Sequence, residues 1–537
     1  MKLRVAPEDI VALRNHPHFA SALHDATRET LDSVYIDSED RFLRDHGLTL
    51  RVRHIGDKRV QTIKTAYHGS GCFERSEWEQ AIEGDQPDLA RVTDTALGPL
   101  LTDDVCSALN PIFETRIERT AYHLNGNDSD IVMAVDEGQI VATDSSYPVS
   151  EIELELKHGS PAQLFKIARD ITDIVPAELD VKSKSERGYD LIEKTPVAAE
   201  KACDPGLSLG MSTGRAFTLI GRACLRHLIV NVPATKNRNS EALHQMRVAL
   251  RRLRAAISSF SDVVNDNRIN TIKTELRWLA QEFGPARDLD TLLLEVIRPL
   301  RKQHPNEPGL LSINRMFARR RLKGFRRAQE AVQSARFRTL VLDAAEWVEA
   351  GPWSTSEDPL VRARREMPIE IRAAEQLSQR RKKIRRRGAK IGDLNPQQLH
   401  RLRIQVKKAR YAAEFFSSVY KGKKAVKRCK KVLSSLMRLQ NCLGGINDIM
   451  THKALFAEII ANPRRGLTAE QNHRRAFAAG LIIGNQQAQI RHLLDGARRA
   501  HSRFDSAKVF WKLPRPRNAV AQPQPPSAEN QNVSVTG

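Results

Sequence analysis

The 537 residues are enough for two or three domains, each with its own core. A formal net charge of +22 is unevenly spread: residues 1–190 carry 21 Lys and Arg against 35 Asp and Glu, a net −14, which leaves +36 on residues 191–537. Six scattered cysteines without a CxxC pair argue against a zinc ribbon and a disulfide framework, and the absence of an apolar leader or of a run of about 18 apolar residues points to a cytoplasmic protein without membrane contacts.

The acidic half reads as α+β. Helical patterns are expected at residues 7–21 and 161–174, where a proline sits at a first helical position. Strand-like alternation runs through residues 48–53, 59–64 and 151–156, separated by turn-rich breaks at residues 69–71 and 125–128. Alternation puts Arg51 and Arg53 on one face opposite Leu50 and Val52, and Glu151, Glu153 and Glu155 opposite Ile152, Leu154 and Leu156. Such charges normally face water. Strands closing into a barrel would instead line a channel, its cations holding a triphosphate and its carboxylates Mg²⁺ or Mn²⁺.

Tyr35-Ile-Asp37, Leu48-Thr-Leu-Arg-Val-Arg53, Thr62-Ile-Lys64, Arg75-Ser-Glu-Trp-Glu79, Asp136-Glu-Gly138, Glu151-Ile-Glu-Leu-Glu155 and Lys182-Ser-Lys-Ser-Glu-Arg-Gly-Tyr189 follow one another in an order that resembles the CYTH domain of the triphosphate tunnel metalloenzymes, over residues 1–192. That resemblance implies an antiparallel β-barrel tunnel and metal-dependent hydrolysis of inorganic triphosphate or a related short triphosphate. Arg51, Arg53, Lys64, Arg119 and Lys184 would clamp phosphates, with Arg116 competing with Arg119 for one position. Asp136, Glu153 and Glu155, with Glu151 on the same strand face, would bind or position Mg²⁺ or Mn²⁺. The family's first strand reads Glu-x-Glu-x-Lys. Here Lys2 takes the lysine's place and both glutamates would fall before Met1, so the expectation is an earlier start or an impaired metal site, the earlier start being favoured by the remaining tunnel residues.

A loose stretch, residues 193–210, links the halves. Beyond Ser212 the apolar period is helical, with breaks at Pro233, residues 305–308, residues 352–359 and Asn395-Pro396, so an all-α helical bundle is expected over residues 211–512. Leu243-His-Gln-Met-Arg-Val-Ala-Leu-Arg-Arg-Leu-Arg254 lies over Leu399-His-Arg-Leu-Arg-Ile-Gln-Val-Lys-Lys-Ala-Arg410, and Phe283-Gly-Pro-Ala-Arg-Asp288 over Leu443-Gly-Gly-Ile-Asn-Asp448, which reads as an internal duplication. On a helix, His244, Arg247, Arg251 and Arg254 form one stripe beside Leu243, Met246, Leu250, Leu253 and Ile257. His400, Arg403, Lys407 and Arg410 form the same stripe beside Leu399, Leu402, Val406, Ala409 and Ala413. A single basic stripe is usually a solvated face; two matching ones favour a groove for a chain of phosphates, with the histidines donating hydrogen bonds in either protonation state and charged on binding. Neither histidine has metal-ligand company. The run Arg380-Arg-Lys-Lys-Ile-Arg-Arg-Arg387 has no second copy and reads as charged surface.

The two His-x-x-Arg helices and two Gly-x-x-x-Asp segments resemble the CHAD domain, which implies polyphosphate binding by the eight stripe residues and association with polyphosphate granules. A non-enzymatic polyphosphate scaffold is an alternative. Nucleic acid is a lesser one, because few aromatics flank the stripes. Residues 513–537, rich in Pro, Gln, Asn and Ser, read as a disordered tail.

Overall fold

The computed structural model describes residues 1–20, 26–65, 76–126, 129–194 and 197–512. The turn expected at residues 69–71, Cys72, Arg75, residues 127–128 and the tail 513–537 lie outside the described residues.

The acidic half is built on nine strands: β1 (Lys2–Arg4), β2 (Thr27–Asp37), β3 (Leu48–Ile55), β4 (Lys58–Thr65), β5 (Glu77–Ile82), β6 (Asn110–Gly126), β7 (Ser129–Ala142), β8 (Ser145–His158) and β9 (Glu178–Leu179). They form one antiparallel sheet in the order β5-β4-β3-β2-β6-β7-β8-β1-β9. The expected closed barrel is therefore corrected: among the described residues β5 and β9 are free edges. With three residues in β1 and two in β9, that end has too little backbone to pair along the six residues of β5. The sheet nevertheless curls, since residues from β1 and β5 line one cavity.

Alternation decides which face is dry. Leu50, Val52 and Ile63 are buried with Val92 and Leu97. Ile152 and Leu154 are buried with Leu164, Phe165 and Ala168 of helix α1 (Pro161–Ile174). That leaves the charged residues of β3, β4 and β8 on the cavity side. The helix expected at residues 7–21 is instead split into Pro7–Arg14 and Pro17–Ala20, because Pro17 has no N–H to continue the ladder. Helix α2 (Lys184–Ile192) starts at a capping box, Ser183 Oγ accepting from Glu186 N while Glu186 accepts from Ser183 N.

The basic half is helical. Its longer helices are α3 (Thr213–Ile229), α4 (Ser240–Ser259), α5 (Ile269–Thr291), α6 (Pro308–Gln333), α7 (Ala335–Ala350), α8 (Ile369–Gly388), α9 (Pro396–Phe415), α10 (Lys423–Ala461) and α11 (Ala469–Ser506). None of the described helices is long and apolar enough to cross a membrane. Asn239 caps α4 and Asn395 caps α9, so each begins where a polar side chain satisfies free N–H groups. Both run 20 residues with the histidine fifth, and both end at a phenylalanine, Phe260 and Phe416, whose rings lie 6.1 Å apart. Leu243, Met246, Leu250, Leu253 and Ile257 are buried, as are Leu399, Leu402, Val406, Ala409 and Ala413. Each such side chain contributes about 1.5–3 kcal/mol if large and aliphatic, which fixes the rotation of the two basic stripes.

The domains share an apolar core that runs from Ile152 and Phe165 to Phe337 and Val341 of α7. Ion pairs rim it: Arg169 Nη2 lies 2.8 Å from Asp343, and Lys236 Nζ 2.5 Å from Glu178.

Candidate functional site

A cavity of about 600 Å³ opens on the polar face of the sheet. Arg51 and Arg53 reach it from β3, Lys64 from β4, Arg119 from β6, Glu153 and Glu155 from β8, and Lys184 from the start of α2. Five cations are thus gathered from four elements. Lys64 Nζ is 2.5 Å from Glu77, and Arg51 lies 3.8 Å from Glu77 and 3.7 Å from Glu79. Burial, with Arg51 beside it, pushes Lys64 down to about 8. Burial and Arg51 likewise bring Arg53, whose Nε donates to Ser33 Oγ at 3.1 Å, to about 10.

The carboxylates form a second cluster. Asp136 (β7), Glu151 and Glu153 (β8) each present an oxygen within 4.8 Å of the others, with Asp136 and Glu151 fully buried. Three oxygen donors suit a hard divalent cation, so the set fits Mg²⁺ or Mn²⁺ in donor chemistry. Lys184 Nζ already stands among them, 2.6 Å from Asp136, 2.5 Å from Glu151 and 3.2 Å from Glu153. Arg119 makes a fork to Asp136 at 2.7 Å from both Nε and Nη2, and Nη2 reaches Glu153 at 2.6 Å. Burial alone would raise Glu153, yet Lys184 and Arg119 hold it well below the usual carboxylate range. Burial would lower Lys184, but Glu151, Glu153 and Asp136 keep it above its ordinary value.

Two named candidates stand apart. Glu155 is at the cavity's rim, 2.6 Å from Lys157, and is not part of the carboxylate trio. Arg116 lies on the other face of β6, exposed and 3.2 Å from Glu114, against a different groove; three residues along a strand reverse the face, and Arg119 is the one turned inward.

Sequence reasoning assigned no role to Arg187, whose Nη2 lies 2.5 Å from Glu151 and 2.9 Å from Asp180, nor to Glu77. Lys2 Nζ donates to Lys182 O and lies 3.7 Å from Glu151. Lys2, Arg187 and Arg4 hold Asp180 at about 2 against the opposing effect of burial. The signal for Arg187 was its place in the 182–189 segment, three residues after Lys184 and hence on a neighbouring part of the same helical turn.

In the helical half, α4 and α9 lie side by side. Arg251 Nε donates to Tyr411 Oη at 3.3 Å, so Arg251 projects toward the second stripe. Burial, Arg403 and Arg251 push Lys407 down to about 8. Arg403 Nε is buried without a hydrogen-bond partner among the described residues. Other stripe members are partly spent within the fold. Arg247 Nη1 donates to Phe283 O and Gly284 O at 3.0 and 2.7 Å and its Nη2 lies 3.0 Å from Asp288. Arg410 Nε donates to Gln440 at 2.9 Å. His400 Nδ1 is 2.8 Å from Asn447 Oδ1. Burial and the neighbouring Arg287 push His244 down to about 4 in the ligand-free chain. Arg254 is exposed and is lowered by burial of its base and by Arg277. The Arg380 run forms part of α8, where Arg380 Nη2 donates to Ser259 Oγ at 2.9 Å and Arg381 Nη2 to Asp505 O at 2.7 Å.

Comparison with known proteins gives both halves of the chain relatives. The CYTH domain model matches residues 1–189 and the CHAD domain model residues 219–457. An inorganic triphosphatase of Haemophilus influenzae is 34% identical over 167 residues, which cover 30% of this chain and 45% of that protein. Among solved structures, the CHAD domain of the plant Ricinus communis is 27% identical, covering 57% of this chain and 96% of its own, with a TM-score of 0.47. HpAC1 from Hippeastrum, described with a dominant triphosphatase activity, is 16% identical over 35% of this chain and 94% of its own, with a TM-score of 0.28. The chain carries an N-terminal CYTH domain over residues 1–189 and a C-terminal CHAD domain over residues 219–457.

Proposed function

We propose that the CYTH domain binds inorganic triphosphate in the 600 Å³ cavity and hydrolyses a phosphoanhydride bond with a divalent metal, while the CHAD domain binds polyphosphate along α4 and α9. The carrying observation is that Arg51, Arg53, Lys64 and Arg119 line one cavity with Glu153, whose carboxylate clusters with those of the fully buried Asp136 and Glu151. Arginine forks match phosphate oxygens, and Lys64 adds a compact charge that an incoming anion would stabilise. A bound Mg²⁺ or Mn²⁺ would supply charge neutralisation to the transferred phosphoryl group. Asp136, Glu151 and Glu153 would hold it, and Arg119 would turn from them toward the phosphates. Similarity to an inorganic triphosphatase supports this choice of substrate.

Phosphate release from inorganic triphosphate by the full chain, with Mg²⁺ or Mn²⁺, tests the reading. Turnover abolished in Arg51→Ala is expected; no release with either metal overturns the catalytic half. A second reading, a binding scaffold without turnover, is favoured by the neutralisation of the trio by Lys184 and Arg119. It expects triphosphate to bind without being cleaved.

For the helical domain, the support is that α4 and α9 bury matching positions beside their two cationic stripes, and that Arg251 lies near Lys407. A linear phosphate chain matches closely spaced cations without bases to stack. Competition between long-chain polyphosphate and DNA at fixed salt decides this: preference for DNA overturns it.

A further inference from the structure

We propose that Arg226, on α3 of the CHAD domain, is a positioning residue for Lys184 in the CYTH cavity. The inference rests on the reading of that cavity as a triphosphate site.

The contact is built across the two domains. Arg226 Nη1 donates to Val181 O at 2.6 Å, and its Nη2 pairs with Glu186. Glu186 is the third residue of α2 and the acidic member of its capping box, taking 2.9 and 3.0 Å bonds from Ser183 N and Oγ. Lys184 lies between the two anchors, at the first position of that helix. One guanidinium therefore clamps both sides of the turn that aims Lys184 Nζ at Asp136 and Glu151. Arg187, one turn along, holds the other oxygen of Glu151.

The pair is well placed to persist. The Arg226 side chain is 13% exposed and that of Glu186 35%, so water screens it only in part. Arg226 itself is set by α3, which is buried along most of its length beneath the shared core. No residue of the sheet supplies an alternative donor to Val181 O among the described hydrogen bonds. The cavity's lysine is thus oriented from outside its own domain. Arg226 does not line the cavity, and its bonds to Val181 O and Glu186 reach Lys184 through the 181–186 turn.

The test is a double-mutant cycle on triphosphate binding to the full chain, measured by calorimetry. Arg226→Met is expected to weaken binding about tenfold, and to cost less than about twofold in a Lys184→Ala background. Arg226→Lys, which keeps one donor, is expected to recover part of the loss. Polyphosphate affinity serves as the folding control and is expected to be unchanged. Additive losses in the cycle overturn the inference, as does unchanged binding in Arg226→Met. If the unmodified chain binds no triphosphate, the cavity reading fails, and amide exchange over residues 181–187 still decides the positioning: faster exchange confined to that turn in Arg226→Met supports it, and unchanged exchange overturns it.

Discussion

Lys184 Nζ lies 2.5 Å from Oε1 of Glu151, a carboxylate with no exposure to solvent, and the same ammonium reaches Asp136 and Glu153. One lysine therefore bridges three carboxylates, alongside Arg119 and Arg187, in a site where Mg²⁺ or Mn²⁺ would seek the same oxygens. Removing it leaves only Arg119 and Arg187 bonded to three crowded carboxylates, two of them fully buried. Lys184→Met is expected to destabilise the chain by about 3–5 kcal/mol at pH 7, as measured by urea unfolding. It is also expected to bind Mn²⁺ more tightly than the parent, read by calorimetry. Equal Mn²⁺ affinity in the two proteins would mean that the lysine and the ion do not compete.

The acid limb follows from the same cluster. Glu153 is held well below 4.5 and Asp180 at about 2, so both bind fewer protons in the folded chain than in the unfolded one. Their stabilisation is complete above the unfolded values, near 4.5 and 3.8, and is lost as the pH falls through the folded ones. In Lys184→Met the folded value of Glu153 rises. Loss of stability on acidification is then expected to start at higher pH, and the pH dependence of the urea midpoint checks it.

Lys64 predicts a slope of the same sign on the alkaline side, for the opposite reason: folding disfavours its charged form. Its folded pKa of about 8 lies below the ordinary 10.5, so between those values the unfolded chain holds the proton and stability rises with pH. Binding triphosphate needs the charged form. Affinity is expected to fall as the pH rises past about 8, and Lys64→Arg, charged throughout, is expected to remove that fall relative to the parent. Calorimetric titrations between pH 7 and 9 measure the difference. Parallel profiles in the two proteins would exclude Lys64 as a phosphate ligand.

Local periodicity was what made most of this architecture legible. The alternation of Arg51 and Arg53 with Leu50 and Val52 sorted β3 into a wet and a dry face, and the 3.6-residue period of Leu243, Met246, Leu250 and Leu253 marked the buried side of α4. Parity alone left Arg116 and Arg119 tied, because it does not say which face of β6 is inside; the register of Arg119 opposite Asp136 does. Glu155 shares a strand face with Glu151 and Glu153 yet sits too near the rim to join them. Long-range contacts were invisible for a plainer reason. Arg187 on Glu151 and Arg226 on Glu186 join residues 36 and 40 positions apart, and no period relates them. Whether the sheet closes depends on the strand lengths at its two ends, which alternation does not report.

Gly188 shows how closely the 182–189 segment is fitted to the sheet. A Cβ there would stand 2.2 Å from Phe113 Cε2, in a ring that also stacks on Tyr35 and meets Tyr189 edge-on. Tyr189 Oη in turn donates to Asp37 at 2.8 Å. Gly188→Ala must therefore displace Phe113 or lift α2 from the sheet. A loss of about 1–3 kcal/mol is expected from overpacking, with partial recovery in the Gly188→Ala, Phe113→Leu double variant. Chemical denaturation of the three proteins checks it; an unchanged midpoint in the single variant would mean that α2 shifts freely.

Lys407 offers a separation of stability from binding. It is lowered to about 8 by burial and by Arg403 and Arg251, which means the free domain bears a cost for keeping three cations together. A surface with no ligand gains nothing from that arrangement, whereas a polyphosphate chain would relieve it. Lys407→Met keeps the stem's packing and removes one charge, so the ligand-free chain is expected to melt at a higher temperature while its polyphosphate affinity falls and depends less steeply on salt. Arg251→Met is expected to behave alike, and to lose affinity less than additively with Lys407→Met if the two stripes grip the same stretch of chain. Melting curves with and without polyphosphate, at two salt concentrations, measure both quantities in one series. A higher melting temperature with undiminished affinity would mark the cluster as crowded surface and move the polyphosphate path away from α4 and α9.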